Sequence, residues 1–155
     1  MKEQPPQPRR LLFICTGNVC RSFMAERIAR KLAADLGIAL EARSCGIGAE
    51  SYFKSPPEVA NALKPLGVST DEHRPQLVGR PLLAWCDQAL AMTRRHREAL
   101  LDAFPEFTPK VHLLRRYAGL DDADVADPIG QPQKVYDACR DELIRALEAL
   151  LAPPV

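Results

Sequence analysis

The stretch Arg10-Leu-Leu-Phe-Ile-Cys15-Thr-Gly-Asn-Val-Cys-Arg21-Ser22 decides the fold. Its first half is an apolar run that stops at Gly17, the pattern of a short buried strand. Its second half leads into a helix. Met24, Ile28, Leu32 and Leu36 recur every four residues with charges between them, and Gly37 supplies a stop. Cys15 to Ser22 is therefore a strand-to-helix turn.

Outward from this turn the alternation repeats. Ile38 to Ser44 reads as a second strand, and Gly46 and Gly48 open a loop through Ser55. Ser55-Pro56-Pro57-Glu58 reads as an N-cap with proline in the first turn. The helix it opens carries Val59, Ala60 and Leu63 and ends at Gly67. Gln88 to Met92 predicts a third strand, and Thr93 a cap for a helix over Arg94 to Phe104. Lys110 to Leu114 predicts a fourth strand. A last helix runs from about Gln133 to Leu151, with Val135, Cys139, Leu143, Leu147 and Leu151 as its apolar stripe. Strands alternating with helices specify an α/β fold, a parallel sheet with helices on both faces. Ligands in such folds bind beyond the carboxyl ends of the strands, and the first strand ends at Cys15.

The 155 residues suffice for one domain with a single core. Residues 1–8, rich in Pro and Gln, read as a flexible N-terminal extension, and 9–155 as a single domain. A formal net charge of +1 gives no nucleic-acid footprint. No apolar run approaches the length of a membrane span, and MKEQPPQPRR lacks the apolar stretch of a secretory signal. Five cysteines, an odd number, fit a disulfide framework poorly, so a reduced, cytoplasmic setting is expected. Cys15 and Cys20 are separated by four residues and no second pair exists, so no zinc site is expected.

A phosphate group needs what this turn supplies. Backbone N–H groups converge where a loop ends at a helix N-terminus. Arg21 holds two phosphate oxygens at once. Gly17 and Asn18 tolerate the left-handed backbone that curls N–H groups inward. A helix N-terminus and a neighbouring arginine favour thiolate over thiol, which makes Cys15 a candidate nucleophile. Ser22 is placed to hydrogen-bond that thiolate. The bare spacing of Cys and Arg is weak, since Cys139 and Arg145 repeat it. That copy lies mid-helix, with no strand before it and no glycine inside it. The first copy has strand, Gly, Asn, Arg-Ser and helix in order. Asp127, in an Asp-Pro-x-Gly turn, reads equally as a turn residue and as an acid.

With its loop read in this way, the chain resembles the low-molecular-weight protein-tyrosine phosphatases and their bacterial relatives, the protein arginine phosphatases. Beyond CTGNVCRS, the resemblance rests on MAE at 24–26, Arg43-Ser44-Cys45-Gly46, His73 in DEHRPQLV, AMTRRH at 91–96, Phe104-Pro105 and DPIGQP at 127–132. It implies a three-layer fold with a four-stranded parallel sheet. It implies Cys15 as nucleophile, Arg21 as phosphate binder and Asp127 as general acid. Thr16, Gly17, Asn18, Val19, Cys20 and Ser22 would complete the phosphate-binding loop, and Ser44 and His73 would join Asn18 in holding its shape. The implied substrate is a phosphorylated protein or peptide, with no cofactor, no metal, no nucleic acid and no membrane. Cys20 would form a reversible disulfide that protects the nucleophile.

Three departures from the family pattern stand out, and the last two bear on the substrate. Phe23 stands where the family usually has Pro. Ile129 and Gly130 follow Asp-Pro where the family usually has aromatics that wall the pocket, so Tyr52 or Phe53 is expected to supply an aromatic wall opposite Ile129. Val19 stands where the arginine branch typically carries Thr, whose hydroxyl helps select the phosphoguanidinium. The last third, with AMTRRH, LLRRYAG and DPIGQP followed by Tyr136, looks more like that branch. The expected substrate is phosphotyrosine, with phosphoarginine as the alternative.

An arsenate reductase on the same loop needs two relay cysteines. Only Cys86 and Cys139 are candidates, and a close-spaced pair is absent. A phosphate-binding module without catalysis is disfavoured by Cys15, Arg21 and Asp127 standing together. A nucleotide P-loop is excluded by the lack of a Gly-Lys-Ser/Thr ending. His96 and His112 read as structural, Arg115 and Arg116 as a surface pair, and Asp121, Asp122 and Asp124 as a solvated loop.

Overall fold

The computed structural model describes residues 7–152, so most of the expected extension, residues 1–6, lies outside the described residues. Strand β1 (Arg9–Cys15) runs through the centre because it is apolar on both faces. Alternate side chains leave a strand in opposite directions. Leu11, Phe13 and Cys15 enter one core, and Leu12 and Ile14 enter the other. β1 lies between β2 (Leu40–Gly46) and β3 (Gln88–Ala91), with β4 (Val111–Leu113) outside β3. The order is β2-β1-β3-β4 and every pairing is parallel. The chain leaves β1 towards one edge and β3 towards the other. The crevice at the carboxyl ends of β1 and β3 is thus the switch point where α/β sheets bind ligands.

Helices α1 (Arg21–Leu36), α2 (Pro57–Leu63) and α6 (Gln133–Leu151) cover one face. There Met24, Ala25, Ile28 and Ala29 pack with Leu143, Ala146 and Leu147. Helices α3 (Arg80–Trp85) and α4 (Arg94–Ala103) cover the other, where Leu83 and Leu100 meet Leu12 and Ile14. Each large aliphatic side chain buried in this way contributes roughly 1.5–3 kcal/mol. A short helix, α5 (Leu114–Tyr117), follows β4. The expected α/β architecture is therefore present, with its four strands and its first and last helices in place.

Several local expectations are corrected. Leu36 is 55% exposed. A step of four residues drifts about 40° around a helix with 3.6 residues per turn, so a stripe begun at Met24 has left the buried face by Leu36. Ala25, Ala29 and Ala33 take up the burial. For the same reason Tyr136 is buried in α6 while Val135 is half-buried. Ser55 does not cap α2. Pro56 holds that position, and the Ser55 hydroxyl is buried without a partner. Thr93 does cap α4, its Oγ1 accepting from the His96 amide at 3.2 Å. Gly17 does not take the left-handed backbone, whereas Asn18 does, at φ 59°. Helix α3 was not anticipated.

Candidate active site

The loop from Cys15 to Arg21 joins β1 to α1 at the switch point. Helix α1 starts without a side-chain cap and with no acidic residue in its first turn. Its leading N–H groups therefore have no capping side chain, which suits an anion. Cys15 is buried, with Sγ 2.9 Å from Ser22 Oγ. The direction of that hydrogen bond follows from its neighbours. The Gln76 amide can only donate, so the oxygen it meets at 3.1 Å is Asn18 Oδ1. Asn18 Nδ2 must then face Ser22, and it donates to Oγ at 2.8 Å. The Ser22 hydroxyl proton is left free to point at the Cys15 sulfur.

Asn18, in its left-handed turn, is held from a second side. His73 Nε2 lies 2.6 Å from the Asn18 carbonyl, and a carbonyl only accepts, so Nε2 carries the proton. Burial holds the His73 pKa below its ordinary value, which keeps this ring neutral. Its face stacks on Phe23 with centroids 3.7 Å apart, and Arg27 lies over the Phe23 ring at 5.0 Å. Phe23 thus braces the histidine that braces the loop. Ser44 reaches the loop indirectly. Its carbonyl accepts from Gln76 Nε2 at 3.0 Å, and its hydroxyl donates to the buried Glu26 carboxylate at 3.0 Å. Glu26 is matched by Arg27 and Arg30.

A third brace comes from α4. The buried His96 hydrogen-bonds Thr16 Oγ1 through Nε2 at 2.8 Å and Thr93 Oγ1 through Nδ1 at 3.0 Å. Burial first, then the nearby Arg21 charge, pushes its pKa down to about 4, so the ring is neutral at physiological pH. Thr16 is also held through its carbonyl, which accepts from Gly48 N at 3.0 Å. Gly46 passes so close that a Cβ there would lie 2.3 Å from that oxygen.

Arg21 is buried. One guanidinium nitrogen donates to the Val125 carbonyl at 2.9 Å, and the other lies 3.5 Å from Asp127 Oδ2. Asp127 is 44% exposed, and its Oδ1 accepts from Ile129 N at 3.1 Å. The segment leading to Asp127 is not merely solvated. Arg115 binds Asp121 through two nitrogens and reaches Glu142 on α6. Asp124 accepts from the Arg94 amide at 2.9 Å, and Val125 N donates to Met92 O at 2.8 Å. Arg115 is accordingly a tether of this segment rather than half of a surface pair.

Cys15, Thr16, Gly17, Val19, Cys20, Arg21 and Asp127 line one cavity of about 350 Å³, closed by Phe53, Lys54 and Ile129. Phe53 and Ile129 thus line the cavity. Tyr52 does not. It is 75% exposed and stands edge-on to Phe53, 5.1 Å between centroids. A larger cavity of about 660 Å³, between α4 and α5, is lined by Arg94, Arg97, His112 and Arg116 and holds no thiol. The five thiols are all free. Burial pushes Cys20 and Cys139 up to about 12, Cys86 to about 11, and Cys45 well above its ordinary value. Cys15 and Cys20 both line the cavity, and of the two it is Cys15 whose sulfur meets the Ser22 hydroxyl. Among the described residues no cluster of His, Cys, Asp or Glu is arranged to hold a metal ion, and no helix is long and apolar enough to cross a membrane.

Residues 10–153 match the family model for low molecular weight phosphotyrosine protein phosphatases. This chain belongs to that family. It is 34% identical to a protein-arginine-phosphatase of Geobacillus stearothermophilus, over 92% of this chain and 94% of that one. It is 30% identical to the low molecular weight protein-tyrosine-phosphatase Wzb of Salmonella typhi, over 83% of each. A crystal structure of a low molecular weight protein tyrosine phosphatase from T. tengcongensis superposes with a TM-score of 0.88 at 35% identity, covering 92% of this chain and 97% of the other. Family membership brings the hydrolysis of phosphorylated protein side chains to this fold.

His96, Gln76 and Glu26 support the loop, yet none was singled out in that role from the sequence. The quoted motifs contain all three, but nothing in their spacing says that they meet. Val125 contributes a carbonyl, which any residue would supply.

Proposed function

We propose that the chain hydrolyses phosphotyrosine in proteins through a phosphocysteine intermediate, with Cys15 as nucleophile, Arg21 as phosphate binder and Asp127 as acid and base. The carrying observation is the convergence of the hydroxyl-supported Cys15 sulfur, Arg21 and Asp127 on one cavity. The phosphate lies among the loop amides, the uncapped start of α1 and Arg21, where fixed donors meet its developing charge. The Cys15 sulfur attacks phosphorus. The bond to the leaving oxygen breaks, and that oxygen takes a proton from Asp127. Asp127 then removes a proton from water, whose oxygen attacks phosphorus. The sulfur–phosphorus bond breaks, and Ser22 hydrogen-bonds the departing thiolate. Asn18, His73, Ser44 and His96 keep the loop in register, and Thr16, Gly17, Val19 and Cys20 shape it.

The apolar character of the walls, Val19, Phe53 and Ile129, supports an aromatic leaving group. A second reading, phosphoarginine, is supported by the arginine phosphatases among the relatives. Free thiols throughout suit a reducing, cytoplasmic setting, and the reading gives no role to nucleic acid, membrane or metal. One peptide carrying phosphotyrosine or phosphoarginine, assayed in EDTA, separates the two substrates. Faster turnover of phosphotyrosine is expected, and a phosphoarginine preference would overturn that choice. Cys15→Ser should abolish turnover of both, and wild-type rates in that variant would overturn the mechanism.

A further inference from the structure

A second depression, of about 270 Å³, lies beside the active-site cavity, and Phe53 and Lys54 line both. Its other walls include Pro57 and Ala60 of α2, and Thr70 and Pro75. Pro57, Ala60 and Pro75 offer apolar contact, and Ser55, Thr70 and His73 offer polar contact. The only charged group among its lining residues is Lys54.

The charges around the catalytic mouth sharpen the point. Asp127 faces Arg21, Asp121 faces Arg115, Asp122 faces Arg94 and Arg116, and Asp124 accepts from a backbone amide. Lys54 is exposed and makes no ion pair or hydrogen bond with any described residue. A lone surface lysine is ordinary. This one stands on the ridge between the cavity that takes the phosphorylated side chain and a depression beside it. Successive Cα atoms of an extended peptide are about 3.8 Å apart. A residue next to the phosphorylated one can therefore reach across that ridge.

We propose that the second depression is a subsite for the residue adjacent to the phosphorylated one, and that it selects Asp or Glu there. The short apolar stem lies against Pro57 and Ala60, and the carboxylate meets Lys54. The proposal rests on the protein-phosphatase reading and adds a sequence preference to it. Such a charge contact acts on recognition of the peptide more than on the chemical step.

The test uses two peptides carrying the faster of the two phosphorylated residues, one flanked on both sides by Glu and one by Lys. An aryl phosphate without flanks is the reference. Wild type should favour the Glu peptide about tenfold in kcat/KM at low salt, and less at high salt, where exposed charges are screened. Lys54→Glu should reverse the order. Ala60→Phe, which fills the depression from an exposed position on α2, should lower the ratio of peptide to aryl phosphate turnover about tenfold. Equal kcat/KM for both peptides in wild type would overturn the subsite and leave the phosphatase reading standing. An unchanged order in Lys54→Glu would remove Lys54 from it. Turnover of the aryl phosphate but of neither peptide would overturn the protein-phosphatase reading and the subsite together.

Discussion

Replacing Gly46 by Ala adds one methyl group at the tightest point of the site. Its Cβ would lie 2.3 Å from the Thr16 carbonyl oxygen, 2.9 Å from the Thr16 carbonyl carbon and 3.0 Å from Ala49 Cβ. Even a contact of 3.0 Å, below which real Cβ atoms essentially never approach, requires a shift of about 0.7 Å. β2 cannot supply it. Gly46 pairs with Cys15 across the sheet, its amide donates to Gln76 O and its carbonyl accepts from Val78 N. The Thr16 peptide must move instead, and it follows the nucleophile directly. A misplacement near 1 Å costs on the order of 100-fold in catalysis, and an overpacked methyl costs about 1–3 kcal/mol of stability. Gly46→Ala should therefore lose about 100-fold in kcat/KM on an aryl phosphate at a temperature where circular dichroism shows it folded. Gly48→Ala is the control, since its Cβ would lie 4.0 Å from the same oxygen, in ordinary contact. It should stay within about twofold of wild type. Gly46→Ala activity within threefold of wild type would refute the claim that the Thr16 carbonyl fixes the nucleophile.

The remaining expectations concern protons and the two chemical steps. His96 is buried with a pKa near 4, against about 6.5 unfolded. Between these values the unfolded chain binds a proton that the folded chain refuses. The stability it protects is therefore complete above about pH 6.5 and lost as pH falls towards 4, by up to roughly 3 kcal/mol. Urea unfolding at pH 7, 5.5 and 4.5 should show a shallower pH slope for His96→Gln, and equal slopes would contradict the assignment. Ser22→Ala removes the donor to the departing thiolate, so it should slow phosphocysteine hydrolysis more than its formation. A larger initial burst than in wild type would show this, and a smaller one would speak against it. Asp127→Asn should slow substrates with poor leaving groups more than those with good ones, and equal losses would mean that Asp127 is not the acid.

What the sequence revealed and what it hid divide along physical lines. The β1 run and the loop after it were legible because each element of a phosphate site demands a particular residue type. A thiol, a guanidinium and a left-handed turn residue cannot be exchanged for others. Asp127 was legible only through resemblance, because an Asp-Pro turn needs no catalyst. His96 lies 80 residues from its partner Thr16 and Gln76 58 from Asn18, so only the folded sheet brings them together. Helix α3 escaped because six residues are too few to show a helical period. Tyr52 and Phe53 are neighbours of the same type, and only the path of the chain decides which ring faces the cavity.

The most direct test of the central claim is to quench Asp127→Asn during turnover of an aryl phosphate and map the phosphoryl group by peptide mass spectrometry. The mechanism predicts one adduct, on Cys15, that vanishes in Cys15→Ser. A phosphoryl group on any other residue, or steady turnover with none on Cys15, would contradict it.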